Sequence, residues 1–508
     1  WMPNTPETVI VMLAAQSLRA VLTSTSPDYG PAGVLDRIGQ VAPKVLVAAD
    51  GYVYGGKNHD RTEALAQIVR GLPTVQQVWL VHELDHDAEP EVHIRTRYLR
   101  DILAAGVDAL EFVEMPFDAP GFILYSSGTT GAPKCLVHRS AGLLLKHASE
   151  HRWHLDVRPG DRVFWFTTCG WMMWNWLVSA LAAGATVVLY DGSPFHPEPD
   201  HLWRIAEEEQ VSLFGVSAKY LDACVKQGLR PVVDRDLSSL RTIGSTGSPL
   251  SPEAFRYVYA DVAPEVHLAS ISGGTDICGC FVIGDPTLPV WPGELQGPAL
   301  GADVDVFDDD GRSLRGEAGV TGELVCRNAL PSMPISFLGD PSGDRYNAAY
   351  FERFPGVWSH GDFALWTDHD GMMILGRSDA TLNAGGVRIG TAEIYRQVEA
   401  FDEVLEALAI GQAFDDDTRV VLFVRLAPGH HLDDLLRARI VKRLREQCSP
   451  RHVPAKIVEV ADLPRTRSGK LAELAVADVV HGRPVRNTEA LANPESLGLF
   501  TDLEELRT

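Results

Sequence analysis

Strand-like and helix-like runs alternate along the first 300 residues of this chain, and that alternation leaves few folds open to it. "PKVLVAAD", "VQQVWLVHEL", "DRVFWFTT", "ATVVLY", "VSLFGVS" and "LRTIGSTG" are short β-branched or aromatic runs, separated by stretches with apolar residues at helical spacing. Such a pattern predicts α/β layering around largely parallel sheets. Between residues 300 and 376 the texture changes. "ADVDVFDDDGRSLRGEAGVTGELVCR" and "GDFALWTDHDGMMILGR" are short strands joined by Asp-Gly turns, which predict β-hairpins in a small barrel-like part. After Arg377 two helical stretches, "TAEIYRQVEAF" and "LDDLLRARIVKRLREQ", flank the strand "RVVLFVRLA". A chain of 508 residues is too long for one compact core. The expected organisation is a large N-terminal domain of layered sheets and helices over 1–378 and a small α+β domain over 379–508.

The composition, 45% hydrophobic and 22% charged, fits a soluble globular protein. A net charge of −23 argues against a nucleic-acid partner, and any anion site must rely on local cations and N–H groups. Seven cysteines with no C-x-x-C pair point to reduced thiols in a cytoplasmic protein. The opening "WMPNTPETVIVMLAAQS" lacks a basic leader and cleavage pattern, and reads as a loop and helix from inside a domain. Residues 163–190 carry no charge and mimic a membrane span. Gly170, Asn175 and Gly184 divide them, so a buried strand–helix–strand unit is expected instead.

Residues 123–138, "ILYSSGTTGAPKCLVH", place small hydroxyl and glycine residues between an apolar strand and a lysine. With helical spacing after Lys134, the small residues are expected to form a strand-to-helix loop whose N–H groups and hydroxyls can surround a phosphate. Walker spacing is absent, since Gly128, Gly131 and Lys134 are each three apart. Two other stretches are decoys. "GYVYGGKN" (51–58) has the Walker frame, but ends on Asn58 and carries Tyr52, Val53 and Tyr54, which favour a hairpin. "HELDH" (82–86) has zincin spacing, but in extended chain His82 and His86 lie roughly 13 Å apart, too far to share a metal. Cys278 and Cys280 are expected to be buried small apolar residues rather than ligands.

Further motifs follow in order: "STGSPLSPEAF" (245–255), "ISGGTDICG" (271–279), "WSHGDFALWTDHDG" (358–371), "GRSDATLNAGGVRIGTAEIY" (376–395) and "PRTRSGK" (464–470). Singly, each has a plain reading: Asp362 and Asp379 as turn acids, Lys470 as a solvated lysine. Together, and in this order, they resemble the adenylate-forming superfamily of acyl-CoA synthetases, luciferases and adenylation domains over nearly the whole chain. "GWMMWNWLVSALAAGATVVLYDGSP", "LPSMPISFLGD" and the tail "GRPVRNTEALANPESLGLF" are similar to its acetoacetyl-CoA synthetase branch rather than to the acetate-using members. Members of that branch carry a further N-terminal portion ahead of "MPNTPE".

The resemblance implies an ATP-dependent acid–thiol ligase using Mg²⁺ and coenzyme A, with acetoacetate as the acid. The alternatives left open are another short-chain acid and an inert nucleotide-binding homologue. It implies that Ser126, Ser127, Gly128, Thr129, Thr130, Gly131 and Lys134 surround the β- and γ-phosphates. Gly247, Ser248 and Pro249 would line the adenine, and Ser272, Gly273 and Gly274 the nucleotide beside Thr275 at the α-phosphate. Asp276 would bind Mg²⁺, Asp362 the ribose hydroxyls, and Arg377 and Arg388 ribose or phosphate. Lys470 would bridge acid and α-phosphate. The small domain would be a mobile lid turning about the hinge Asp379, bringing Gly385 and Gly386 to the pantetheine channel, with Arg445 on coenzyme A phosphates. Trp171, Met172, Met173 and Gly273 would form the acyl pocket, Gly273 leaving the room that a tryptophan fills in acetate-using members.

Overall fold

The computed structural model describes residues 1–84, 90–106, 109–126, 133–378, 382–384, 387–389, 391–414, 417–447, 452–467, 469–485 and 488–507. Five parallel strands form its central sheet, in the spatial order His267–Ser270, Thr242–Thr246, Leu213–Ser217, Arg162–Trp165, Thr186–Val188. Gly244 pairs with Gly215 on one side and Ala269 on the other, while Val163 pairs with both Leu213 and Val187. Crossover helices cover both faces, which is why these strands read as apolar runs rather than alternating ones. Trp174 and Trp176 of the helix Met172–Ser179 pack in the core of one face. Trp203, Leu221 and Phe255 pack in the other. The Trp165 indole lies on two glycines: a Cβ at Gly215 would meet its ring at 2.0 Å, and one at Gly244 at 2.7 Å. Those glycines supply space for an indole.

The uncharged stretch 163–190 is therefore strand, helix and strand. No helix among the described residues is long and apolar enough to cross a membrane. A second, three-stranded parallel sheet orders Val45–Ala49, Gln77–Val81 and Arg95–Tyr98. The Walker-like decoy is a hairpin, Gly51–Tyr54 against Lys57–Asp60, with Tyr52 stacked on His59 at 4.7 Å. His82 stands just past the strand Gln77–Val81 and its Nδ1 meets Asp50 Oδ2 at 2.9 Å, while His86 lies outside the described residues.

One expectation fails on the antiparallel side. The small-residue loop does not lead from strand to helix; it joins Pro120–Ser126 to a second strand, Lys134–Arg139, in antiparallel register with Ser126 opposite Lys134. The helix starts only at Ser140. The cause is burial on both faces: Cys135, Leu136 and His138 are all buried, so the run lacks the alternation that marks a strand. This hairpin, with Ser336–Phe337, packs against the antiparallel sheet Val304–Phe307, Thr321–Cys326, Trp358–Trp366, Met372–Arg377 around one core that includes Leu136, Phe281, Leu324 and Trp358.

Past the expected boundary at 378, the antiparallel pair Val404–Phe414 and Asp417–Leu426 is joined in parallel by Lys456–Glu459. Alternation of period two divides its faces. Ala407 and Ala409 pack with Ile394, Val398, Ile440 and Leu444 of two helices, Thr391–Val398 and Asp434–Gln447. Leu408 and Ile410 pack with Val476 and Phe500 on the other side.

Candidate active site

The carboxyl ends of the central strands open into a cavity of about 300 Å³, the usual place for a ligand in an open α/β sheet. Strand Thr242–Thr246 runs into Gly247, whose φ of 93° turns the chain so that Ser248 and Pro249 line the cavity wall. Ser251 then caps the helix Pro252–Tyr257, its Oγ accepting Ala254 N–H at 3.1 Å. Strand His267–Ser270 leads into the short pair Ser272–Gly274 and Gly279–Ile283, and the turn between them carries Thr275 and Asp276. Cys278 holds a left-handed φ of 42° in that turn, and both Cys278 and Cys280 are buried.

Asp276 is half-buried. Burial alone would raise its pKa; His360, the donated hydroxyl of Tyr350, Lys134 and Arg377 outweigh it and hold the carboxyl below its ordinary value. Tyr350 is fixed by stacking on Trp358 at 3.6 Å, and the Lys134 ammonium lies 5.8 Å from its ring centre. The hairpin that carries Lys134 and the 271–279 turn thus lie side by side. His138, on the strand after Lys134, confirms the proximity: its Nε2 is 3.1 Å from Thr275 O, and its Nδ1 3.1 Å from Ser332 O. Burial lowers its pKa to about 4, and a neutral ring donates to only one of these carbonyls at a time.

Asp362 was expected in a turn ahead of a hairpin; it stands inside the strand Trp358–Trp366 instead, opposite Arg377. Its Oδ1 is 3.4 Å from Arg377 Nη1, and its Oδ2 is 3.6 Å from His360 Nε2. Lys470 reaches the same cavity from the small domain, on a turn closed by Thr466 N–H to Lys470 O at 2.8 Å. It keeps surface open to the water of the cleft, yet the protein crowding its ammonium lowers its pKa, against the pull of Asp362. Three residues earlier, Arg467 donates to Asp28 O at 2.7 Å and lies 4.5 Å over the ring of Tyr29.

Trp171, Met172 and Met173 line the cavity with large apolar side chains. Gly273 lines it too, but with its backbone. A Cβ there would meet Gly279 O at 1.9 Å, so the missing side chain makes way for the neighbouring strand and is not what opens the pocket. Arg445 is exposed on the helix Asp434–Gln447 and does not line the cavity. Ser126 stands half-buried at its strand end. Ser127, Gly128, Thr129, Thr130, Gly131, Asp379, Gly385 and Gly386 lie outside the described residues, as does the side chain of Arg388, whose backbone pairs with Asn383.

Sequence reasoning missed Tyr350, His360 and His138. His360 sits inside the quoted "WSHGD", whereas nothing around Tyr350 marks it. One carboxylate faced by a tyrosine and a lysine fits a Mg²⁺ that arrives on nucleotide phosphates; among the described residues no group of three His, Cys, Asp or Glu could hold a metal alone. Cations of Lys134, Arg377 and Lys470 beside an apolar end suit a phosphorylated ligand meeting a small organic acid.

Residues 1–333 match the family described as AMP-binding enzyme, and residues 397–470 the AMP-binding enzyme C-terminal domain. The chain is similar to the acetoacetyl-coenzyme A synthetase of Rhizobium meliloti, 57% identical over 511 residues covering 100% of this chain and 78% of that protein. It is similar to the acetoacetyl-CoA synthetase of Mus musculus at 44% over 519 residues, covering 100% and 76%. The solved acetoacetyl-CoA synthetase from Streptomyces lividans superposes with a TM-score of 0.93 at 44% identity, covering 100% of this chain and 77% of that one. This chain belongs to the AMP-binding enzyme family, among the acetoacetyl-CoA synthetases.

Proposed function

We propose that this chain joins acetoacetate to coenzyme A in two steps driven by ATP. In the first, a carboxylate oxygen attacks the α-phosphorus, the bond to the β-phosphate breaks, and pyrophosphate leaves. In the second, the coenzyme A sulfur attacks the acyl carbon and AMP leaves. The observation that carries this reading is the convergence of Thr275, Asp362, Arg377 and Lys470 on one cavity that Trp171, Met172 and Met173 also line.

Two anions must meet at one phosphorus, so cations have to gather there. Lys470 sits between the acid and the α-phosphate, with Thr275 beside it. Asp362 accepts from the ribose hydroxyls, Gly247, Ser248 and Pro249 flank the base, and Lys134 faces the outer phosphates. Asp276 would hold Mg²⁺, which supplies neutralising charge to the leaving pyrophosphate. The lid turns about Asp379, and the protein resides in the cytoplasm; six described cysteines, all buried and free, support the latter.

ATP–pyrophosphate exchange with Mg²⁺ and a panel of short acids tests the reading. Exchange is expected to be fastest with acetoacetate. Exchange with acetate, propionate or a branched acid but not acetoacetate overturns the substrate; tight ATP binding with no exchange for any acid overturns the enzyme.

A further inference from the structure

Behind the acyl end of the cavity, the helix Ser140–Ser149 and the wider turn Glu150–His154 bury an ion pair. Lys146 Nζ lies 3.2 Å from Glu150 Oε1, with side-chain exposures of 3% and 0%. The Glu150 carboxylate spends both oxygens on neighbours. Oε1 accepts Cys280 N–H at 2.8 Å, and Oε2 accepts Trp176 Nε1–H at 2.8 Å. Cys280 and Gly279 line the cavity. Trp176 belongs to the helix whose first residues, Met172 and Met173, line it as well.

We propose that Glu150 is a positioning residue that sets the width of the acyl end of the cavity by bonding both of its walls at once, with Lys146 as its counter-ion. The inference rests on the reading that the acid occupies that end. Three further observations support it. His147, on the same helix, has its Nε2 2.6 Å from Cys278 O, so the turn bearing Thr275 and Asp276 is held from the same buried face. Gly279 lies directly on the pair: a Cβ there would meet both Glu150 Oε1 and Lys146 Cγ at 3.1 Å. Burial would raise the Glu150 carboxyl, but Lys146 and the two N–H donors outweigh it and keep it below its ordinary value. A carboxylate accepts from both donors. A carboxamide in its place accepts from one and presents its own N–H to the other, so one wall is released.

The test compares the wild-type chain with Glu150→Gln and Trp176→Phe by ATP–pyrophosphate exchange over the same acids. In Glu150→Gln the ratio of kcat/KM for acetoacetate to that for acetate is expected to fall about tenfold, the discrimination one methylene commands in a pocket. The fall should come through KM for the acid while KM for ATP holds. Trp176→Phe removes the helix-side donor and keeps an aromatic ring in the core, and should move the ratio the same way, which decides the matter if Glu150→Gln does not fold. An equal loss for every acid, or unchanged ratios, overturns the proposal. Should the wild type prefer another acid, the acetoacetate reading fails, and the shift in ratio against that acid still decides the part of Glu150.

Discussion

Asp362 and Arg377 stand opposite each other in the register of two adjacent antiparallel strands, and their side chains meet at 3.4 Å on the cavity wall. A carboxylate carried by ladder-bonded backbone costs little to hold in place when a diol arrives. Asp362→Asn keeps the shape but removes the charge that the proposed ribose role relies on. KM for ATP in the exchange assay should rise by about tenfold or more, while KM for the acid stays put. Equal change in both would contradict a ribose role.

Lys470 lines the cavity from the C-terminal part of the chain, and the function proposed above gives its charge to the first step alone. Lys470→Ala should lower acyl-adenylate formation by at least about a hundredfold. Thioester formation from supplied acyl-adenylate should be spared. Single-turnover assays of each half-reaction separate the two, and matched losses would reject the assignment.

Gly273 offers a test of the strand contact. With Gly279 O only 1.9 Å from the position of a Cβ, Gly273→Ala must push the neighbouring strand aside. Exchange should drop for every acid, and thermal unfolding should come at lower temperature. A Gly273→Trp variant that stays stable and gains acetate would show that the side chain can turn into the pocket after all.

His138 and His151 are both fully buried, and desolvation lowers their pKa to about 4 and about 3. Folded values below the unfolded one mean that the unfolded chain binds more protons under acid. This contribution to stability is complete above about pH 6.5 and is lost as pH falls toward the folded values. At pH 5 each histidine should have cost about 2 kcal/mol of folding stability. Urea unfolding at pH 7 and pH 5 measures the loss. In His151→Gln the drop should shrink by about that amount; an undiminished drop would mean that His151 does not titrate on unfolding.

The layered fold was legible because its strands are short, β-branched and bounded by glycine, as in "ATVVLY" after Gly184. The strand at 134–139 was not. Buried on both faces, it shows neither helical nor strand periodicity, and only its pairing with 120–126 decides between them. In the site, residues lying within compact motifs stand out in the sequence, Thr275 and Asp276 among them. Tyr350 was not, since its contact with Asp276 spans 74 residues and leaves no local pattern. At Gly273 the sequence shows that a side chain is missing, but not that a Cβ there would point at Gly279 O.

Arg467 sits on the turn that delivers Lys470, yet its guanidinium is moored far back in the chain, on the Asp28 carbonyl and the face of Tyr29, whose ring also lies 4.5 Å from the Arg37 guanidinium. Any motion that withdraws the lysine must first slip that mooring. In the lid motion proposed above, the tempo would rest partly on an aromatic ring that does not line the cavity.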